Sequence, residues 1–336
     1  MNNHTSSLEF SHFPVMMNEV IKISTPSNGG TYIDCTFGGG GYSKQLLKFS
    51  KTVVKGLDRD ENVIKIGKRL EKNFPHRFKF YQKTFSQLDT VTKELVDVII
   101  FDLGLSSFQL NDHKRGFSFK SNQNLDMSMG LNEISAHDVL NKLSELELKL
   151  IIKIFGEEKE AARIARNIVK FRNEKKIMKV QDLVNIIEKS KKKNYTSKIN
   201  PCTKTFQALR IFVNKEITEL IRGIINAAKV LKPGGKIIIV SFHSIEDKIA
   251  KYFFSNFSTN KSKPSRYLPE QDESSTALFN NYKNNILKPS KKEIDQNSRS
   301  RSAKLRYAIR SKNKFSYPDD MIEKFKKYLD LEAIDV

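Results

Sequence analysis

The sequence predicts an α/β fold in which a mostly parallel, doubly wound sheet is interrupted by an inserted all-helical domain. Short buried strands alternate with helical stretches over the first 110 residues. After residue 110 helical periodicity continues without a strand-like run, and strand signals return beyond residue 204. We therefore expect a first part of the core over 1–110, an insertion that recognises the substrate over 111–204, and a second part of the core over 205–336.

Each strand is predicted from a short apolar run that ends in turn residues, and each helix from apolar residues at a spacing of three or four. The predicted strands are 31–37, 52–57, 77–81, 96–101, 236–242 and an edge strand at 302–309. The predicted helices are 42–49, 61–73, 136–155, 158–171, 180–189, 206–230 and 245–257. The polar stretch 258–300 is predicted to be loop or partly disordered.

The composition fits a packed protein in a reducing compartment. Of the 336 residues, 38% are hydrophobic, which excludes a wholly disordered or fibrous chain. Cys35 and Cys202 cannot form a disulfide framework and lack the paired spacing of a zinc site, so no metal is expected. The longest apolar runs fall far short of the roughly 20 residues of a membrane span, and no signal pattern opens the chain. We expect a cytoplasmic protein without membrane contact.

The formal net charge of +21 is concentrated in two segments. Residues 159–198 carry 13 Lys and Arg against 4 Asp and Glu, and residues 257–316 carry 14 against 5. Basic blocks favour a polyanionic partner, because each neutralised phosphate releases counterions. The alternative is an ordinary basic surface. Since the first 158 residues are nearly balanced, we favour a nucleic acid.

A glycine-rich turn after the first strand predicts a nucleoside-type cofactor. The glycines at 38–41 let the backbone approach a ligand and leave the amides of a helix N-terminus free to meet it. Asp58, at the end of the next strand, is placed to accept hydrogen bonds from a ribose. A dinucleotide fingerprint requires glycine where Ser43 stands, and Asp34 would repel a pyrophosphate. The cationic S-adenosylmethionine, and hence methyl transfer, is favoured over a nicotinamide.

Polar side chains also follow two later strands. Asp102 ends the fourth strand and Ser106 follows it, at the carboxyl edge where such sheets bind ligands. The alternative for Asp102 is a turn or capping role. His243 follows the fifth strand and could reach the same crevice; alternatively Ser244 caps the next helix, with Asp247 three residues on. Asp102, Ser106 and His243 are the candidate catalytic residues.

Eight ordered motifs between residues 12 and 247 resemble those of the bacterial 16S ribosomal RNA cytosine-N4 methyltransferase family. They read HFPVM at 12–16, D-x-TFG-x-GG-x-S at 34–43, DLG-x-SS-x-QL at 102–110, RGFSF at 115–119, LDM-x-M at 125–129, GEE at 156–158, FQALRI-x-VN at 206–214 and SFHS-x-ED at 241–247. The resemblance extends from residue 12 to 306. Four positions depart from the family pattern: Gly39, Tyr42, Ser128 and Gly130 stand where Arg, His, Arg and Asp are usual.

The resemblance implies a class I S-adenosylmethionine-dependent methyltransferase, with a Rossmann-like core, that methylates N4 of a cytidine in the decoding region of 16S rRNA. Its partner would be 16S rRNA within the small ribosomal subunit and not DNA; a homo-oligomer stays open. Phe85 is placed to stack on adenine, with an ordinary core aromatic as the alternative. The cofactor contacts that the resemblance implies are Gly40, Gly41, Tyr42, Asp58, Phe85, Asp102 and Gln109.

Three other functions are weighed against this one. Carbon-5 methylation needs a cysteine nucleophile, which Cys202 offers only at the end of the insertion. A nicotinamide-dependent oxidoreductase leaves the basic segments unexplained and conflicts with Asp34 and Ser43. A non-catalytic RNA-binding assembly factor on the same fold is the remaining alternative, against which the intact glycine turn, Asp58 and Asp102 argue.

Overall fold

A mixed sheet forms the centre of the molecule. The computed structural model describes residues 14–106, 109, 112–132, 134–191, 200–260 and 277–336. The strands within these residues are Gly30–Asp34 (β1), Thr52–Asp58 (β2), Phe78–Gln82 (β3), Val96–Asp102 (β4), Leu231–Ser241 (β5) and Lys304–Ile309 (β6). Their order is β3-β2-β1-β4-β5-β6. The first five run parallel, and β6 is antiparallel to β5.

Both faces of the sheet are buried. Along β4, Val98 and Ile100 belong to one apolar cluster, whereas Ile99 and Phe101 belong to the other. Successive side chains of a strand point to opposite faces, so a strand covered on both sides is a continuous apolar run. This confirms the predicted doubly wound α/β class.

Helices cover both faces and fill the predicted insertion. Within the described residues they are Met17–Ser24 (α1), Gly41–Leu46 (α2), Ile64–Asn73 (α3), Ala136–Lys142 (α4), Glu145–Phe155 (α5), Ala161–Glu174 (α6), Val180–Ser190 (α7), Thr203–Asn214 (α8), Glu216–Val230 (α9), Ser244–Asn256 (α10), Lys291–Gln296 (α11) and Asp319–Glu332 (α12). The α4–α7 region joins the core through α8, on which α5 packs. None of these helices is both long and apolar enough to cross a bilayer.

Two helices that the sequence predicts as single are each divided by a local backbone feature. The predicted helix 136–155 breaks where Leu143 is extended and Ser144 caps α5 by accepting a hydrogen bond from Glu147 N. The predicted helix 206–230 breaks at Lys215, whose φ of 48° is left-handed. Apolar periodicity runs through both breaks, so it could not reveal them.

The C-terminal third departs most from the prediction. β5 begins at Leu231 and includes residues 232–235, which were predicted to be a turn; the pairing with β4 is irregular there. The predicted loop over 258–300 is wrong at α11 and at the helical turn Ser298–Ser302, whereas residues 277–290 contain no helix or strand, although Leu278 and Phe279 are fully buried. Residues 261–276 lie outside the described residues. The sequence analysis did not predict α12.

Candidate active site

The main cavity lies where the sheet order reverses, between β1 and β4. It has a volume of about 660 Å³ and is lined by residues that follow β1, β2, β3, β4 and β5. Helices leave such a crevice uncovered at the carboxyl ends of adjacent strands, because the connections of those strands turn to opposite faces. Two distant segments complete the wall: Pro14 with Val15, and Asn297 with Arg299.

The glycine run forms one wall by adopting left-handed conformations. Gly38 has a φ of 48°, and a Cβ there would lie 3.7 Å from Ser106 Cβ, on the cavity side. Gly40 (φ 74°) lies behind this wall, where a Cβ would come within 2.8 Å of the Phe37 ring. Gly41 lines the cavity and begins α2. The wall therefore presents bare backbone to a ligand.

Asp34 stabilises the glycine turn through a buried hydrogen bond. Its carboxylate is fully buried and accepts a hydrogen bond of 2.7 Å from Ser43 Oγ. Burial raises the pKa of Asp34 to about 6, against the lowering effect of that hydrogen bond. The sequence analysis expected Asp34 to act on the ligand, but its carboxylate holds α2 in place and is not among the described residues that line the cavity.

Asp58 lines the cavity at the end of β2. Its Oδ2 accepts a hydrogen bond from Gly38 N (2.8 Å) and its Oδ1 accepts one from Asp60 N (2.9 Å). Burial raises the pKa of Asp58 to about 6, although these amides act to lower it. Each carboxylate oxygen can accept a second hydrogen bond, so the group can bind ribose hydroxyls as well as the glycine turn.

Asp102 lines the cavity at the end of β4. Its main-chain N donates to Thr36 Oγ1 (2.8 Å), which joins the ends of β4 and β1. Its Oδ1 is buried without a hydrogen-bond partner among the described residues. Burial, with Asp34, Glu246 and Glu293 nearby, raises the pKa of Asp102 well above its usual range. A buried oxygen left unpaired in this way marks a place where a donor or a cation would be bound.

Gln109 is held in place by hydrogen bonds with Ser106 and Asp60. Its Oε1 accepts from Ser106 N (3.0 Å), and Ser106 Oγ accepts from Gln109 N (3.3 Å). Its Nε2 donates to Asp60 Oδ2 (2.9 Å), which also pairs with Arg115. Burial acts to raise the pKa of Asp60, but Arg115 and Gln109 together hold it below the usual range. Ser106 and Gln109 both line the cavity, in positions set by this network.

The two predicted aromatic contacts differ. Phe85 lines the cavity and packs edge-on against Phe101, with ring centroids 5.7 Å apart and planes at 87°, so part of the ring is available for stacking. Tyr42 also lines the cavity, but its hydroxyl donates to Val15 O, and burial raises its pKa well above the usual range. The Tyr42 hydroxyl therefore donates its hydrogen bond to the N-terminal segment at Val15.

His243 begins α10 as its N-cap residue. Its Nδ1 faces Glu246 N at 3.5 Å, its Nε2 lies 3.0 Å from Glu246 Oε1, and Glu246 Oε2 accepts from Phe242 N (2.8 Å). The prediction that Ser244 caps this helix is thus wrong. The His243 side chain is 7% exposed, and among described residues it is Phe242, not His243, that lines the main cavity. Contact of His243 with reacting atoms stays a prediction.

His243 belongs to an ionic network behind the cavity. One carboxylate oxygen each of Glu216 and Glu246 and one ring nitrogen of His243 lie within 4.8 Å of one another. Arg210 donates to both oxygens of Glu216, at 2.8 Å each. Burial acts to raise the pKa of Glu246, but His243 and Arg210 hold it below the usual range. The guanidinium and the imidazole therefore lie against the two carboxylates and tie together α8, α9 and α10.

The two cysteines differ in position but share low reactivity. Cys202 is 1% exposed at the start of α8, outside the described lining of the cavity, and burial raises the pKa of its thiol to about 11. Cys35 lines the cavity, but burial and then Asp34 raise its pKa well above the usual range. A thiolate nucleophile for carbon-5 chemistry is thus disfavoured at both positions.

Sequence reasoning missed the groups that come from far along the chain. Asp60 follows Asp58 directly, and its link to Arg115 could have been sought in the RGFSF motif. No local signal places Asn297 or Arg299 at the cavity, because that contact depends on how the C-terminal segment folds back.

The cavity fits S-adenosylmethionine. Backbone at Gly38 leaves room for the ligand, and Asp58 offers acceptors for a ribose. The unpaired Asp102 Oδ1 offers an acceptor to a cationic group. At the strand ends the described lining carries the acids Asp58 and Asp102, which suit a cationic ligand better than a pyrophosphate.

Comparisons with known proteins agree with this fit. A family model described as the MraW methylase family matches residues 9–311. A protein of Bartonella bacilliformis is 44% identical over 300 residues (89% of this chain, 90% of that protein), and one of Brucella ovis is 38% identical over 318 residues (93% and 91%). Both are named ribosomal RNA small subunit methyltransferase H.

Solved structures show a more distant likeness. An rRNA methylase of Streptococcus thermophilus has a TM-score of 0.38 at 10% identity, covering 87% of this chain and 96% of its own. The N-methyltransferase NodS of Bradyrhizobium japonicum, in complex with S-adenosyl-L-homocysteine, has a TM-score of 0.35 at 10% identity, covering 88% and 85%. By its sequence, over nearly its whole length, the chain belongs to the MraW methylase family and is an S-adenosylmethionine-dependent methyltransferase.

Proposed function

We propose that this enzyme transfers a methyl group from S-adenosylmethionine to N4 of a cytidine in the decoding region of 16S rRNA, within the small ribosomal subunit. The observation that carries the proposal is the unpaired, buried Asp102 oxygen at the end of β4, inside the cofactor cavity. The names of the relatives from Bartonella and Brucella support the substrate. Since small subunits are cytoplasmic in bacteria, the proposed substrate places the enzyme there.

The chemistry asks the protein for alignment and for a hydrogen-bond acceptor. The cofactor supplies a methyl group made electrophilic by its sulfonium. The exocyclic amine of cytosine is conjugated with the ring and is a poor nucleophile, so an acceptor that draws on its N–H raises the electron density on nitrogen. Asp102 is that acceptor in our proposal, and Ser106 and Gln109, which hydrogen-bond to each other and line the cavity, position the base. The proton leaves to Asp102 or to water.

The target base must be unpaired or flipped out to enter the cavity. Basic groups on the predicted insertion are available to hold the flanking phosphates. In α6, Arg166 and Lys170 are exposed; Arg163 is exposed too, but it donates to Ser190 O (3.0 Å). Arg172, by contrast, is half-buried and donates to Leu140 O (2.8 Å) and Leu143 O (2.6 Å), so it holds α4 and takes no part in the proposed RNA surface.

The test is methyl transfer from labelled S-adenosylmethionine to small subunits that lack the endogenous methylation, followed by nucleoside analysis. We expect N4-methylated cytidine with the wild-type enzyme and none with Asp102→Ala. A Cys202→Ala variant should keep full activity, because that thiol lies outside the cavity lining. A 5-methylcytidine product, lost on removal of a cysteine, would refute the N4 assignment. Cofactor binding without any transfer to the subunit would favour the non-catalytic assembly factor.

A further inference from the structure

Phe242 lines the main cavity directly after β5. Its main-chain N donates to Glu246 Oε2 (2.8 Å), so the first turn of α10 fixes the backbone that carries the ring. The ring is partly buried and packs against the apolar cluster that contains Val98 and Ile100. It also lies against the loop after β4, because Gly104 has no side chain and a Cβ there would come within 3.2 Å of Phe242 Cδ2. The core and this loop therefore hold the ring at the edge of the cavity.

The strand order places Phe242 on the side of Asp102 that faces away from the groups proposed to bind the cofactor. Asp58 ends β2, the glycine turn follows β1, Asp102 ends β4 and Phe242 follows β5. These strands are neighbours in the order β2-β1-β4-β5, and adjacent strands lie about 4.8 Å apart. Asp102 is paired with Val240, and Leu103 N donates to Val240 O (2.9 Å), so the two strand ends lie side by side. A cofactor held by Asp58 and the glycine turn leaves the β5 side of the cavity for a second ligand.

The other aromatic residues of the described lining are less suited to that ligand. Phe37 and Tyr42 are only 2% and 3% exposed, so their rings are almost wholly covered by the core. Phe85 packs against the apolar cluster on the opposite face of the sheet and is already the candidate for stacking on adenine. Among these rings, Phe242 is therefore the one that a ligand on the β5 side can reach.

We propose that Phe242 stacks on the target cytosine when that base enters the cavity. This inference rests on the proposed function and names the group that receives the base. An extruded base loses contact with its neighbours in the RNA, and an aromatic side chain provides a face that replaces one of them. The ring orients the base so that its exocyclic amine faces Asp102, the proposed acceptor. Because the phenyl ring exchanges no proton, its part is to hold the base.

The test measures methyl transfer at a series of concentrations of small subunits, together with the calorimetric affinity for S-adenosylmethionine. Phe242→Leu keeps an apolar side chain but removes the aromatic face. We expect kcat/KM for the subunit to fall by about tenfold or more, and the affinity for S-adenosylmethionine to change by less than about twofold. The slope of log affinity for subunits against log salt should stay the same, because stacking releases no counterions. Phe242→Tyr, which restores the ring, should recover most of the lost activity.

Phe257→Leu is the matched control, since Phe257 is a partly buried aromatic residue at the end of α10 and lies outside the described lining. It should leave kcat/KM unchanged. Wild-type kcat/KM in Phe242→Leu would overturn the stacking and leave the proposed function standing. A matching loss of affinity for S-adenosylmethionine would also overturn it, because the ring would then contact the cofactor. Absence of transfer by the wild-type enzyme would overturn both proposals, so the two failures are distinguishable.

Discussion

Asp34, Asp58 and Asp102 converge where β1, β2 and β4 end, and burial raises the pKa of all three. A carboxyl whose pKa is higher in the folded state than in the unfolded chain retains its proton longer when folded. Its ionisation therefore lowers the free energy of unfolding as the pH rises. The free protein is destabilised by the acids that a cationic ligand needs, and ligand binding should relieve that cost.

Asp102→Asn should separate these two effects. The amide has the same shape but no charge, so we expect the melting temperature of the cofactor-free protein to rise by about 2 °C at pH 8. The same change should lower methyl transfer by at least about 100-fold, because the acceptor weakens. Differential scanning calorimetry and a filter-binding methyl-transfer assay measure the two quantities. Asp295→Asn, at an exposed position of α11, is the control. A lower melting temperature with intact transfer would contradict this account.

Asp58 predicts how cofactor affinity depends on pH. Its pKa of about 6 means that the carboxylate gains a proton as the pH falls through 6, and a protonated group accepts ribose hydrogen bonds poorly. We expect the dissociation constant of S-adenosylmethionine to rise as the pH falls from 7 to 5. In Asp58→Asn this rise should be smaller and affinity at pH 7 lower by about tenfold. Calorimetry at a series of pH values would show it; an unchanged pH profile in the variant would exclude Asp58 as its source.

The raised pKa of Asp58 also makes the stability of the folded protein depend on pH. In the unfolded chain the Asp58 carboxyl has its ordinary pKa of 3.8, so between pH 4 and 6 the folded protein binds more protons than the unfolded chain does. Its contribution to stability thus falls as the pH rises through that window.

At the scale of elements, periodicity predicted where strands and helices lie, but not where a helix breaks. Lys215 adopts a left-handed conformation without being glycine or asparagine, and nothing in its neighbours marks it. The turn residues at 232–235 were predicted to end a helix, yet they belong to β5, where they form an irregular stretch between the pairs Val96–Leu231 and Val98–Lys236, and Gly234 N donates to Arg310 O (2.9 Å). In both cases tertiary contacts override a local preference.

The end of the chain provides a cap for α9. Glu332 of α12 is 1% exposed and accepts hydrogen bonds from Ile217 N (3.0 Å), Thr218 N (2.7 Å) and Thr218 Oγ1 (2.6 Å). These groups belong to the first turn of α9, whose amides lack helical partners. Helix α9 also carries Glu219 into the cavity lining. The C-terminal helix thereby helps to position the active site.

Glu332→Ala should therefore destabilise the protein by about 2 kcal/mol, the scale of a buried charged cap. Burial raises the pKa of Glu332 to about 7 from 4.5, so its ionisation costs stability as the pH rises from 4.5 to 7. The free energy of unfolding of Glu332→Gln should consequently lie closer to the wild-type value at pH 8 than at pH 5. Urea denaturation at both pH values measures this. Glu323→Ala, exposed on the same helix, is the control; equal effects of the two Ala substitutions would exclude the cap.

At the scale of the whole molecule, sequence patterns predict those site residues that follow directly after a strand. Asp58 and Asp102 end parallel strands, so their meeting follows from the topology that the sequence predicts. The wall formed by Asn297 and Arg299 does not, because it depends on contacts between distant parts of the chain, such as the hydrogen bond from Met16 N to Glu293 of α11. The network around His243 was likewise hidden, since three separate helices supply it.

The uneven charge of the chain leads to the last prediction, on binding to RNA. Arg166 and Lys170 lie one turn apart on α6 and are both exposed, so they form part of one basic face. Replacing both by Gln should weaken binding to small subunits at low salt. It should also reduce the slope of log affinity against log salt by about 1.5 to 2, because the release of two counterions is lost.

The matched control is the pair Lys248 and Lys251, exposed on α10 outside the two basic segments. Its replacement by Gln removes the same charge, so net charge alone cannot distinguish the two variants. We expect the salt slope to fall only in the α6 variant, while affinity for S-adenosylmethionine stays at the wild-type value in both. Equal changes in slope would mean that the general positive field of the molecule, and not the face of α6, attracts the RNA.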